Sequence, residues 1–248
     1  MSINKFPIFN VELSDINPDK AYSFLDNKQI QTPSYMLFPD LSVLSDSTEN
    51  KKLAHIIDNA SLAMPDGKPS EFIARLKGYK EVSTVSGYKL IKRLLAESNR
   101  THFFYGSTRE KIKKMEEFLY EYCPDSKKIL GFKEAPFVGL DEIEFSNEIK
   151  TDLEKINELK PDFVWIGLSS PKQDYLLYHH HSILKNSYCL GVGGVFDYLS
   201  GEVKISPDWI KKVGLRWLFR LVKEPKRLFP KYWKIVTNLC KYSFKRSS

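Results

Sequence analysis

Three short apolar runs punctuate the middle of the chain, each followed at once by small or polar residues. They are 102–105 (HFFY) before Gly106-Ser107-Thr108, 163–168 (FVWIGL) before Ser169-Ser170-Pro171-Lys172-Gln173, and 188–192 (YCLGV) before Gly193-Gly194. Continuous runs of this length read as strands buried on both faces, as in a parallel sheet. After the first, Ile112, Met115, Phe118 and Leu119 recur at helical spacing, so strand, loop and helix follow one another. This alternation predicts an α/β fold, a Rossmann-like open and mostly parallel sheet flanked by helices. Ligands of such sheets sit beyond the carboxyl ends of the strands. The loops to search are therefore 106–108, 167–173 and 191–197, with an earlier one, Met64-Pro65-Asp66-Gly67, behind the apolar run 60–64. The acidic stretch 141–158 reads as a solvated helix, and no internal repeat or low-complexity tract interrupts the pattern.

Near Gly201 the composition changes. Residues 201–248 hold 13 Lys and Arg against 3 Asp and Glu, interleaved with Trp209, Trp217, Phe219, Phe229, Tyr232, Trp233 and Phe244. The first 200 residues carry 25 basic and 28 acidic groups, so the formal net charge of +7 comes from the tail. We expect an α/β core over 1–200 that binds the small-molecule ligand and a basic, helical appendage over 201–248 that meets an anionic surface. Pro207 and Asp208 are expected to open a helix in which Lys212, Arg216, Arg220 and Lys223 share one stripe beside Val213, Trp217 and Leu221, before Pro225 interrupts it. That face suits an anionic lipid or a diphosphate.

The N-terminal residues lack the apolar stretch of a signal peptide, and no run approaches the ~20 apolar residues of a spanning helix. The expected location is cytoplasmic, with any membrane contact peripheral. Cys123, Cys189 and Cys240 have no spacing that suggests a metal site or disulfide and read as free thiols. The run His179-His180-His181 reads as surface histidines, since adjacent helical side chains diverge. No Asp-x-Asp occurs, so no metal cofactor is expected, and a diphosphate would need arginine, lysine and backbone donors.

Each candidate motif is weak alone. Pro65-Asp66-Gly67 is ordinarily a turn, but a turn at the mouth of a sheet can also present a carboxylate to an attacking hydroxyl. Gly191-Val192-Gly193-Gly194 with Asp197 suits a phosphate loop, yet Phe196 stands where a dinucleotide fingerprint has its third glycine. In 169–173, Lys172 and Gln173 fit either a phosphate and sugar contact or a polar helix start.

Taken in order, the pieces resemble the WecG/TagA/CpsF family of glycosyltransferases. They are Thr32-Pro33, Ala63-Met64-Pro65-Asp66-Gly67, Val85-Ser86-Gly87, Gly167-Leu168 with Pro171-Lys172-Gln173, the segment from Gly191 to Asp197, Gly214-Leu215-Arg216-Trp217-Leu218-Phe219-Arg220-Leu221, and Glu224-Pro225-Lys226-Arg227-Leu228. The resemblance implies an inverting transferase that moves a sugar from a UDP-sugar to a polyprenyl-diphosphate-linked saccharide at the inner membrane face, for teichoic acid, capsule, exopolysaccharide or common antigen. It makes Asp66 the general base. It places Thr32, Ser34, Gly67, Thr84, Lys172 and Gln173 near donor sugar or acceptor, and Gly106, Gly167, Gly193, Gly194 and Asp197 on the nucleotide side. Arg220 and Arg227 of the membrane-docking appendage then reach over the site, and subunit association is compatible with this scheme. Where the family usually has Thr-x-Asn this chain has Thr32-Pro33-Ser34. Thr84 replaces an arginine, Lys89 an acidic residue, Arg216 a Glu and Pro230 a third arginine. A noncatalytic membrane adaptor that binds the nucleotide sugar is one rival reading. A nucleic-acid-binding protein is another, disfavoured because it leaves the loops of the core unexplained.

Overall fold

The computed structural model describes residues 3–27, 33–123, 125–203 and 225–244. The chain opens with an antiparallel hairpin, β1 (Lys5–Ile8) and β2 (Val11–Ser14). Helix α1 (Pro18–Asp26) starts at Asn17, whose side chain accepts from the Lys20 amide, and leads to β3 (Ser34–Leu37). Helices α2 (Leu41–Ser47) and α3 (Lys51–Asp58) start at Asp40 and Asn50, each capping its own helix with a side-chain oxygen. A two-residue strand β4 (Leu62–Ala63) then precedes α4 (Lys68–Leu76) and α5 (Gly87–Glu97).

The second half alternates as its apolar runs require: β5 (His102–Gly106), α6 (Arg109–Tyr122), β6 (Ile129–Lys133), α7 (Asn147–Glu158), β7 (Phe163–Gly167), α8 (Lys172–His180), β8 (Tyr188–Gly191) and α9 (Val195–Leu199). Six strands form one sheet in the order β4-β3-β8-β7-β5-β6, every neighbouring pair parallel. Each face carries its own apolar core, and the alternation along β7 shows how. Val164 and Ile166 point to the face covered by α2, α3, α7 and α8, while Phe163 and Trp165 point to the face covered by α1, α5, α6 and α9. The 141–158 stretch is less solvated than its charge implies. A 3-10 turn over Leu140–Phe145 precedes α7, and Ile143, Ile149, Leu153 and Ile156 are buried.

The topology creates the site. The helices that follow β3 and β7 lie on one face and the helix that follows β8, between them, lies on the other. Chain segments part in opposite directions at the carboxyl ends of these strands, the switch point at which the ligands of such sheets bind.

The last described element is helix α10 (Pro225–Phe244). It docks on α2: the Asn238 amide donates to Ser45 Oγ at 2.9 Å and Thr48 Oγ1 at 3.1 Å, Lys234 pairs with Asp46 and Glu49 at 2.9 Å each, and Ile235 is buried. Tyr242 meets Phe9 of the β1–β2 turn edge-on, at a ring separation of 5.5 Å. The opposite stripe of the helix, Phe229, Trp233 and Val236, is exposed. Among the described residues no helix is long and apolar enough to cross a membrane. The helix expected after Pro207 lies outside the described residues.

Candidate active site at the carboxyl edge of the sheet

Asp66 stands in the turn between β4 and α4. Gly67 caps α4 at φ +86°, a conformation that glycine adopts without the Cβ clash other residues meet. This lets the chain reverse directly after the carboxylate. The turn is held on both sides, since the Asp66 amide donates to Pro39 O at 3.4 Å and the Val85 amide donates to Pro65 O at 2.9 Å. Val85-Ser86-Gly87 is itself pressed on the β8–α9 loop, where a Cβ on Gly87 would lie 3.2 Å from both Val192 and Val195. Asp66, Val85–Gly87 and the glycine loop after β8, far apart in sequence, are thus neighbours at one edge.

Gln173 ties the far side of this edge together. Buried in the first turn of α8, it accepts from the Gly193 amide at 2.6 Å and donates to Gly191 O at 3.2 Å. The carboxyl of the neighbouring Asp174 accepts from the Ser170 hydroxyl. Burial pushes the Asp174 carboxyl up to about 7, against the lowering pull of the Ser170 hydrogen bond. Because the folded pKa exceeds the unfolded one, the native state holds the extra proton between about pH 4 and 7, and stability falls as pH rises through that window. Asp174→Asn is therefore expected to stabilise the fold by on the order of 2 kcal/mol at pH 8. The gain should vanish near pH 4, as denaturant melts at the two pH values will show.

Other residues singled out in the sequence take structural partners. The Thr84 amide and hydroxyl donate to Glu71 at 3.0 and 3.1 Å, and the same buried carboxylate receives Lys68 at 2.9 Å and Arg75 at 3.0 Å. Glu71 so fastens the Thr84 segment to the helix that starts behind Asp66, and its hydrogen bonds lower its pKa against burial. Lys172 Nζ donates to Val138 O at 2.8 Å and lies over the Phe137 ring. The Asp197 carboxylate pairs with Lys111 of α6 at 2.6 Å, fixing α9 to α6. The Gly106 and Gly167 positions are crowded by packing: a Cβ on Gly106 would lie 2.9 Å from the Gly167 backbone, and one on Gly167 only 2.1 Å from the Phe196 ring.

Ser34 is not brought to this edge. It opens β3 in register with Tyr188, the first residue of β8, so at ~3.3 Å per residue it sits about 10 Å from Leu37 and the loops. Its hydroxyl is buried without a hydrogen-bond partner among the described residues. Thr32 and Arg220 lie outside the described residues, and of Arg227 only its place in α10 is described. The histidine run differs from its expectation as well. His180 is buried and hydrogen-bonds Ile143 O at 2.7 Å, because α8 is covered on that side by the 3-10 turn before α7.

Two supporting residues escaped the motif reading. Glu71 had a signal, the Lys68/Glu71/Arg75 spacing of three and four that pairs charges on one helix. Asp174 had none, since a carboxylate in a first helical turn is usually just a dipole partner.

A parallel sheet with a carboxylate turn and a glycine loop at its switch point places the protein in the Rossmann-like α/β class. A model of the glycosyl transferase WecG/TagA/CpsF family matches residues 6–248, and the chain belongs to that family. The N-acetylglucosaminyldiphosphoundecaprenol N-acetyl-beta-D-mannosaminyltransferase of Bacillus subtilis (strain 168) is 26% identical over 245 residues, 98% of this chain and 89% of that protein. The identically named protein of Bacillus spizizenii is 23% identical over 243 residues, 97% and 88% of the two chains. That of Staphylococcus aureus (strain MW2) is 22% identical over 189 residues, 75% and 70%.

Proposed function

We propose that this glycosyltransferase is inverting and moves a sugar from a UDP-sugar to a polyprenyl-diphosphate-linked saccharide in the synthesis of a cell-surface polysaccharide. The observation that carries the reading is the meeting of the Asp66 turn, Val85–Gly87 and the Gly193 loop at the carboxyl edge of the sheet. The names of the relatives support it, since they specify an N-acetylmannosaminyl group and an N-acetylglucosaminyl-diphosphoundecaprenol.

In this scheme an acceptor hydroxyl attacks the anomeric carbon from the side opposite the diphosphate. The new C–O bond forms as the bond to the β-phosphate oxygen breaks, and Asp66 takes the hydroxyl proton. The nucleotide lies across the β5–α6 and β8–α9 loops, where the start of the 14-residue helix α6 offers amide donors to a phosphate. Gln173 acts by holding the Gly193 loop in place. Charge growing on the departing diphosphate is met by Arg220 and Arg227 of the appendage, which docks on the membrane through its cations and rings. Lys172 and Gly194 line the donor side.

The test is UDP release from a panel of UDP-sugars, headed by UDP-N-acetylmannosamine, with a short-chain polyprenyl-diphosphate N-acetylglucosamine as acceptor. Acceptor-dependent release from one donor is expected. UDP binding with no turnover across a broad panel of donors and acceptors would instead favour a noncatalytic adaptor.

A further inference from the structure

Helix α4 begins two residues after Asp66 and packs inward through Ser70, Glu71 and Ala74, which are buried. Its outward side is not polar, as a solvated helix face would be. Phe72 is 63% and Leu76 72% exposed, one turn apart. Around them stand Lys68 and Arg75, with half-exposed side chains, and the exposed Lys77 and Lys80 just beyond the helix. Glu71 is turned inward against Lys68, Arg75 and Thr84, which leaves Glu81 the one other carboxylate between positions 68 and 81. The face is therefore apolar at its centre and cationic at its rim. At a rise of 1.5 Å per residue, Phe72 lies only about 6 Å along the helix axis from Lys68, which is itself two positions after Asp66.

We propose that this face of α4 docks on an anionic lipid surface, setting the Asp66 turn at the membrane where a lipid-linked acceptor lies; the second half of the statement rests on the transferase reading above. Charge selects the partner, because lysine and arginine around a pair of apolar side chains complement an anionic headgroup layer into which the two can insert. Size argues in the same direction. Two apolar side chains fall short of the ~800 Å² per partner that a stable protein interface buries, whereas lipid contacts act additively with others on the same molecule. The hairpin supplies the second contact: Lys77 Nζ donates to Pro7 O of β1, and the turn of the same hairpin meets α10 at Tyr242, so the exposed Phe229 and Trp233 belong to a helix fastened to the same support as α4.

The experiment compares wild type, Phe72→Ser/Leu76→Ser and Lys80→Glu in sedimentation with vesicles of phosphatidylglycerol and phosphatidylcholine, or of phosphatidylcholine alone. All three substituted positions are exposed, so thermal melts should be unchanged. The double variant is expected to bind the anionic vesicles about tenfold more weakly, and Lys80→Glu to weaken binding to anionic vesicles but not to neutral ones. Transfer to an acceptor held in vesicles should fall with binding, while transfer to a short-chain soluble acceptor should not change. Unaltered vesicle binding in both variants overturns the proposal. So does a shift in oligomeric state by light scattering at unaltered vesicle binding, which would make the face a subunit contact. Should the wild type glycosylate no acceptor at all, the transferase reading fails by itself, and the vesicle comparison still decides the surface.

Discussion

Asp66→Asn is expected to lower kcat for sugar transfer by about two to four orders of magnitude, the range a positioned general base contributes, while leaving the melting temperature nearly unchanged. The substitution keeps the size and shape of the side chain and removes its capacity to accept the acceptor proton. The fold should tolerate it because the turn is held by its backbone: the Asp66 amide on Pro39 O, the Asp66 carbonyl accepting from Ser70 Oγ, and Val85 on Pro65 O. Donor affinity, measured by calorimetry with the UDP-sugar, should stay within a factor of a few, since the nucleotide is assigned to loops after β5 and β8. A loss of donor affinity that matched the loss of rate would move Asp66 from proton acceptor to donor anchor. A variant with rates near wild type would remove it from the chemistry. Asp66→Ala adds little beyond Asn in this account, so a large gap between the two would mean that shape rather than basicity matters there.

How much of this arrangement the sequence announces depends on how each residue is used. The strands β5, β7 and β8 are legible because both faces are buried, which forces unbroken apolar runs such as 163–166. β4 is only two residues long, and β6 at the edge contains Gly131 and is mostly half-exposed, so neither leaves a pattern strong enough to read. The β1–β2 hairpin is hidden for another reason: its turn uses Phe9 at φ +54° and Asn10, without the glycine that usually marks such a turn. At the site, Pro65-Asp66-Gly67 is found from its turn chemistry, but its neighbours are set by sheet order, which no local pattern encodes. The same limit explains Ser34. Its distance from Thr32 in sequence says nothing about which end of β3 faces the loops, and the strand direction puts it at the wrong end. Thr84 fits a substrate contact equally well until Glu71 is seen to hold both of its donors.

Gly167→Ala is expected to destabilise the protein by about 3 kcal/mol or more, at the upper end of what overpacking a core costs, or roughly 6–12 °C in melting temperature for a chain of this size. The cause is depth of contact rather than backbone conformation. The added methyl would lie 2.1 to 2.4 Å from three carbons of the Phe196 ring, and Phe196 is itself buried against Phe104 at a ring separation of 6.0 Å. Retreat on the other side is limited by Gly106, the ladder partner of Gly167 in β5, where even an added Cβ would lie 2.9 Å from the Gly167 backbone. The ring must therefore move, and it carries the start of α9 with it, two residues after Gly194. Because that loop is pinned by Gln173, strain introduced at Gly167 should reach the loop proposed to hold the nucleotide and, on that reading, weaken UDP binding along with stability. A double-mutant cycle with Phe196→Leu separates the causes: if the ring is the obstacle, the smaller side chain recovers much of the loss, and the two substitutions together cost less than their sum. Simple additivity would place the strain in the β5–β7 backbone instead.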